Sequence, residues 1–207
     1  MQKRWIAAII LLTMVFILSG CEKGERYYQD EVPELTSIVA EYYDEIGISE
    51  RDRKNAKAVY NGYQISDGKM LQIRLPEYWN DIYIMKLGEG ENDDSIFVYE
   101  KYNAELHNES EGVGYLWGIH IFSHEYYAKH FLDDFVIACL EQIGYNAKII
   151  GVDDDYVYLM SFASDVQYDF ANELASELYE THWSTRSKFV SDFLSVNEIR
   201  PINEAEQ

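Results

Sequence analysis

Two cysteines, three prolines and 17 basic residues are few for a chain of 207. So little cysteine excludes a disulfide-stapled scaffold. So little proline excludes a proline-rich stalk. The basic residues face 37 acidic ones, a formal net charge of −20. A surface of that sign repels nucleic acid and anionic lipid headgroups, which argues against a nucleic-acid partner. Internal repeats are absent, as are Gly-x-Ser-x-Gly, His-Glu-x-x-His and EF-hand spacings. Long apolar runs are absent too, with one exception at the start.

That exception runs from Trp5 to Leu18, behind Lys3 and Arg4. A charged start and a short apolar core form a secretory signal. The run is shorter than the roughly 20 apolar residues of a comfortable membrane span. It ends in Leu18-Ser19-Gly20-Cys21. This segment resembles the lipobox of bacterial lipoproteins at every position. The resemblance implies a diacylglyceryl thioether on Cys21, cleavage before it, and in many bacteria acylation of the new amine. Palmitate-type chains would then hold the protein on the outer face of the cell membrane, since each buried CH₂ contributes about 0.8 kcal/mol. An uncleaved anchor, or plain secretion with an incidental cysteine, is the alternative.

Cleavage would leave 187 residues with 15 Lys+Arg against 37 Asp+Glu, a formal charge of −22. Lipidation would also leave Cys139 without a disulfide partner. It lies in the apolar Phe135–Leu140 run and reads as a buried thiol. Residues 21–31 read as a lipidated polar tether, 32–198 as one globular domain and 199–207 as a polar tail. With 47% hydrophobic residues and 18 tyrosines the domain can build a core.

Helical spacing follows Pro33 through Leu35, Ile38, Val39, Tyr42, Tyr43 and Ile46, with Gly47 as a stop. Residues 49–56 are charged and ambiguous. Strands are expected at 58–65 and 70–75 around Ser66-Asp67-Gly68-Lys69, then at 82–87, 96–102 and 115–122. A helix is expected from Glu125 to Ile143, a hairpin of 147–151 and 156–162, and helices to about Val196. The expected class is α+β, a mainly antiparallel sheet of about six strands flanked by N-terminal, internal and C-terminal helices. This order is similar to the PsbP-like α/β/α sandwich, a likeness of fold that implies no function.

Three pieces, Ile73-Arg-Leu-Pro-Glu-Tyr-Trp79, Ile96–Glu100 with Gly112–Trp117, and Tyr156–Leu159 with Asp165-Val-Gln-Tyr-Asp169, carry a second likeness. Over about residues 58–197 the chain resembles an uncharacterised domain of exported clostridial and bacillar proteins. That group has a Leu-Pro-x-x-Trp strand end and a Pro-Thr-Asp-Val-Gln segment, where this chain has Ala163-Ser164-Asp165. The likeness implies an exported Gram-positive protein and no defined activity.

Candidate chemistry is sparse. His120, His124 and His130 are near in sequence, and zinc takes three or four such ligands, but their spacing gives no shared face. Asp153–Asp155 and Glu91–Asp94 offer oxygen ligands for calcium, or polar turns. Trp79, Asp165 and Gln167 are the candidate ligand contacts, although for Asp165 and Gln167 a helix cap and a loop latch are the preferred reading. No cofactor is called for, and the oligomeric state is open. The expectation is a non-enzymatic binding or accessory module, with a cell-surface protein or cell-wall component as partner. The alternative is a surface hydrolase using clustered carboxylates or a His-bound metal.

Overall fold

The computed structural model describes residues 34–90, 93–106, 112–130, 145–163 and 167–202. Cys21, the tether, Cys139 and Asp165 lie outside them, as does most of the helix expected over 125–143. The described chain is α+β, with a six-stranded antiparallel sheet, a separate hairpin and helices.

The N-terminal helix α1 (Ser37–Glu45) starts four residues after Pro33, where its sequence signals begin, following Thr36 at φ −65° and ψ 159°. The ambiguous charged stretch forms α2 (Glu50–Lys54), because Ser49 and Asp52 cap each other's backbone amides reciprocally. Strands β1 (Ala58–Gln64) and β2 (Met70–Pro76) pair across the expected Asp-Gly turn. Leu71, Ile73 and Leu75 alternate inward, the period of a half-buried strand.

The expected break after Leu75 contains a one-turn helix, α3 (Trp79–Ile82), leading into β3 (Tyr83–Gly90). Strand β4 (Asp93–Glu100) stops two residues short of the expected Tyr102, giving way to α4 (Lys101–Leu106). Glu100 causes the switch: its carboxylate accepts the Tyr102 amide at 2.8 Å and the Asn103 amide at 2.7 Å. Those donors would otherwise be orphaned at the helix start.

Strand β5 (Tyr115–Ser123) is central and buried on both faces, as its unbroken apolar run predicts. A short helix α5 (His124–His130) follows, then β6 (Tyr145–Val152) and β7 (Tyr156–Ala163). The C-terminal helices are α6 (Glu173–Trp183) and α7 (Arg186–Val196). The supposed polar tail begins with structure: Ile199 is buried and β8 (Arg200–Pro201) pairs with β6. The domain therefore runs to residue 202, because β6 offers an open edge and Ile199 an apolar side chain to cover it.

Sheet order is β3-β4-β5-β7-β6-β8. Trp117, Ile119 and Ile121 join the main core with Tyr158, Met160, Phe189 and Phe193. The β1–β2 hairpin, α1, α3, α6 and α7 all contribute to that cluster. The other face carries Phe122, Val157 and Leu159, packed against Tyr126 and Tyr127 of α5. Gly118 is needed there, since a Cβ would sit 2.8 Å from the Phe97 ring and 3.0 Å from the Tyr115 hydroxyl.

Candidate functional site

Helix α7 has two working sides. Phe189 and Phe193, four apart, enter the core, while Asp192 bonds Arg74 of β2 at 3.4 Å and Lys188 at 2.7 Å. The neighbouring side carries Arg186, Val190 and Leu194 at the same spacing, with Ser187, Ser191 and Ser195 beside them. Small serines keep this side of the helix shallow, so it does not fill the space against the sheet.

A cavity of about 600 Å³ results between α7 and the β7-β6-β8 end of the sheet. That is within the range of roughly 300–1,000 Å³ typical of small-ligand sites. Ile150 and Met160 form its floor, and Leu194, Ile199 and Ile202 line it towards the end of α7. Gly151 lets that end draw together: a Cβ there would lie 2.7 Å from Ile199 and 2.8 Å from Leu194. Lys148 and Arg186 supply the charge. Arg186 donates to the Trp183 carbonyl at 3.1 Å and lies over the Trp183 ring at 4.6 Å, which fixes the guanidinium.

None of the 14 lining residues is acidic. Among the described residues no carboxylate pairs with Lys148 or Arg186. The first turn of α7 has no acidic residue, and its N-cap, Thr185, makes no side-chain cap; its hydroxyl bonds the His182 carbonyl instead. The positive end of the helix therefore adds to the two cations.

The described residues among those singled out from sequence do not gather here, or with one another. His120 is buried on the opposite face, its Nδ1 2.9 Å from Ser95 Oγ and its Nε2 2.7 Å from Ser161 Oγ. The Tyr115 hydroxyl extends that chain to Ser161 at 2.8 Å. His124 begins α5 and its Nε2 donates to the Asp153 carbonyl at 2.8 Å. His130 ends α5, its ring centroid 4.3 Å from that of Tyr126. Among the described residues no group of three or more His, Cys, Asp or Glu is placed to hold a metal ion.

Trp79 is core: it stacks on Tyr83 at 3.9 Å and borders a cavity of only about 20 Å³. Gln167 holds a loop through its main chain, its backbone carbonyl accepting the Gly114 amide at 2.7 Å. Asp153 organises the β6–β7 turn. Its carboxylate takes the Asp155 and Tyr156 amides, Lys69 at 2.5 Å and the Tyr158 hydroxyl at 2.6 Å. Burial pushes the Asp153 carboxyl up, but the hydrogen bonds from Lys69, Tyr158 and Asp155 outweigh it and hold it low. Asp94 is likewise occupied, accepting from Ser66.

Lys148, Arg186 and the serine row were not picked out by sequence reasoning. The i, i+4, i+8 spacing of Ser187, Ser191 and Ser195 beside an apolar stripe was the available signal. It says only that one helix side is small and polar; the sheet edge opposite makes it a groove. No protein-family model, no curated protein and no solved structure matches the chain.

Proposed function

We propose that the chain is a lipid-anchored extracytoplasmic protein that binds a ligand or accessory partner at the surface of a Gram-positive cell without catalysing a reaction. Cys21 carries the lipid, residues 22–31 are the tether, and the α7 groove is the binding seat. One observation carries the binding reading: in a chain of net charge −20, this groove has two cations and no carboxylate. Its serine hydroxyls have no histidine beside them in the lining, the opposite of what nucleophilic catalysis needs. The anchor rests on the four lipobox positions Leu18–Cys21 and the short apolar run before them.

Cells fed a clickable fatty acid test the anchor. The full-length protein should take up label and fractionate with membrane, and Cys21→Ser should take up none. Label retained in Cys21→Ser would refute lipidation at that residue. Hydrolase turnover by the purified full chain, lost in His124→Ala, would refute the non-enzymatic part.

A further inference from the structure

We infer that the α7 groove binds the acyl chain and carboxylate of a long-chain fatty acid. The inference rests on the groove being a binding seat, and adds the chemistry of what fills it.

The groove is polarised along its length. Arg186 stands at the N-terminal end of α7, and Lys148 of β6 lines the same cavity. Leu194 and Ile199 meet at Gly151 towards the other end, eight residues further along the helix at Leu194, and Ile202 lies beside Ile150. Eight residues of helix span about 12 Å. A ligand matching this pattern has an anionic head and a linear apolar body. The head would meet a fixed guanidinium at the first turn of a helix without acidic residues there, with the Lys148 ammonium in the same lining. Val190 and Leu194 give the helix side of the track for the body, with the small serines beside them.

An extended peptide fits less well. The floor is side chains of the sheet face, and the backbone of β6 and β7 is spent on their ladder. On the outer edge of β6, Ile150 already accepts the Ile202 amide at 3.2 Å. A peptide lying over Ile150, Met160 and Leu194 would bury amides without partners, at a cost an acyl chain does not carry.

The test uses the full-length protein in nanodiscs of zwitterionic lipid, with a diazirine-bearing hexadecanoate as photoprobe. Adducts should map to residues 148–162 and 186–202. Fatty acids should compete more strongly as they lengthen, by roughly fourfold per added CH₂ until the groove is full. Hexadecanol, which lacks the charge, should compete at least about tenfold more weakly. The double variant Lys148→Glu with Arg186→Glu should lose labelling by a similar factor. Ser191→Trp, a change at an exposed position, should block the track and abolish it, with the unfolding midpoint unchanged.

Adducts confined to other surfaces, or indifferent to Ser191→Trp, would overturn both this inference and the groove as binding seat. Equal competition by hexadecanol with no effect of charge reversal would overturn the carboxylate alone and leave the seat standing. Labelling that appears only after truncation at Ile202 would make residues 203–207 the occupant. Displacement by an acidic aliphatic peptide, but not by fatty acids, would assign the groove to a protein partner instead.

Discussion

His182 Nδ1 and Glu100 Oε1 face each other at 3.9 Å with both side chains essentially inaccessible to water. On its other side His182 meets Tyr43, with 2.6 Å between Nε2 and the hydroxyl. This contact ties α1 to α6 across 139 positions of chain. Burial pushes the Glu100 carboxyl up to about 7, partly opposed by the Asn103 and Tyr102 hydrogen bonds. Burial also drives the His182 imidazole down to about 3. Both neutral forms are favoured inside.

The two groups therefore give stability limbs of opposite slope. The Glu100 contribution is full below the unfolded carboxyl value near 4.5 and is lost as pH rises through about 7. Denaturant titrations from pH 4.5 to 8 should show a fall of about 3 kcal/mol from this group. Glu100→Gln should flatten that limb, whatever its effect on absolute stability.

His182 works the other way. Unfolded chains take up its proton below about 6.5, while the folded chain resists until about 3, so its contribution is lost as pH falls through that window. His182→Phe should remove the acid limb. It should also cost about 1–3 kcal/mol at pH 7, because the buried Tyr43 hydroxyl loses its partner. Unfolding curves at pH 4 and 7 separate the two effects.

Trp79 is sandwiched, 3.9 Å from Tyr83 and parallel to Phe189 at 6.4 Å. Trp79→Ala should destabilise the domain by about 3–5 kcal/mol in denaturant titration. Labelling of the α7 groove in the surviving folded fraction should be unchanged.

Asp153→Asn should cost about 1–3 kcal/mol, since it removes the ionic acceptor shared by Lys69 and Tyr158. The lowered Asp153 carboxyl contributes stability that is present above its unfolded value near 3.8 and is lost as pH falls through the lower folded value. Because Lys69 and backbone amides already occupy the carboxylate, calcium or a chelator should leave the melting temperature unmoved.

Gly118→Ala should be destabilising by about 1–3 kcal/mol by denaturant titration, because the new methyl overlaps the Phe97 ring and the Tyr115 hydroxyl.

Much of the architecture was legible because it rests on local rules. The Asp67-Gly68 turn, the alternation of Leu71, Ile73 and Leu75, and the doubly apolar Tyr115–Phe122 run each specify their element within a few residues. Two of the misread stretches share a cause, polar groups finding partners outside the hydrophobic pattern. Glu100 ends a strand by capping α4, and Ser49 with Asp52 turns an ambiguous charged stretch into α2. Among the site residues, proximity in sequence misled: His120 and His124 are four apart, yet a strand end divides them between a buried hydrogen-bonded chain and a turn carbonyl.

By itself the sequence determined composition, charge sign, the α+β class and most element positions, because side-chain period and turn chemistry are local. Only the tertiary structure decided which residues share a cavity. Lys148 and Arg186 are 38 positions apart in the chain, and β6 meets α7 only because the sheet reorders its last strands as β7-β6-β8 and the chain returns through Ile199 to close the edge. Long-range packing of that kind leaves no periodic trace in either segment.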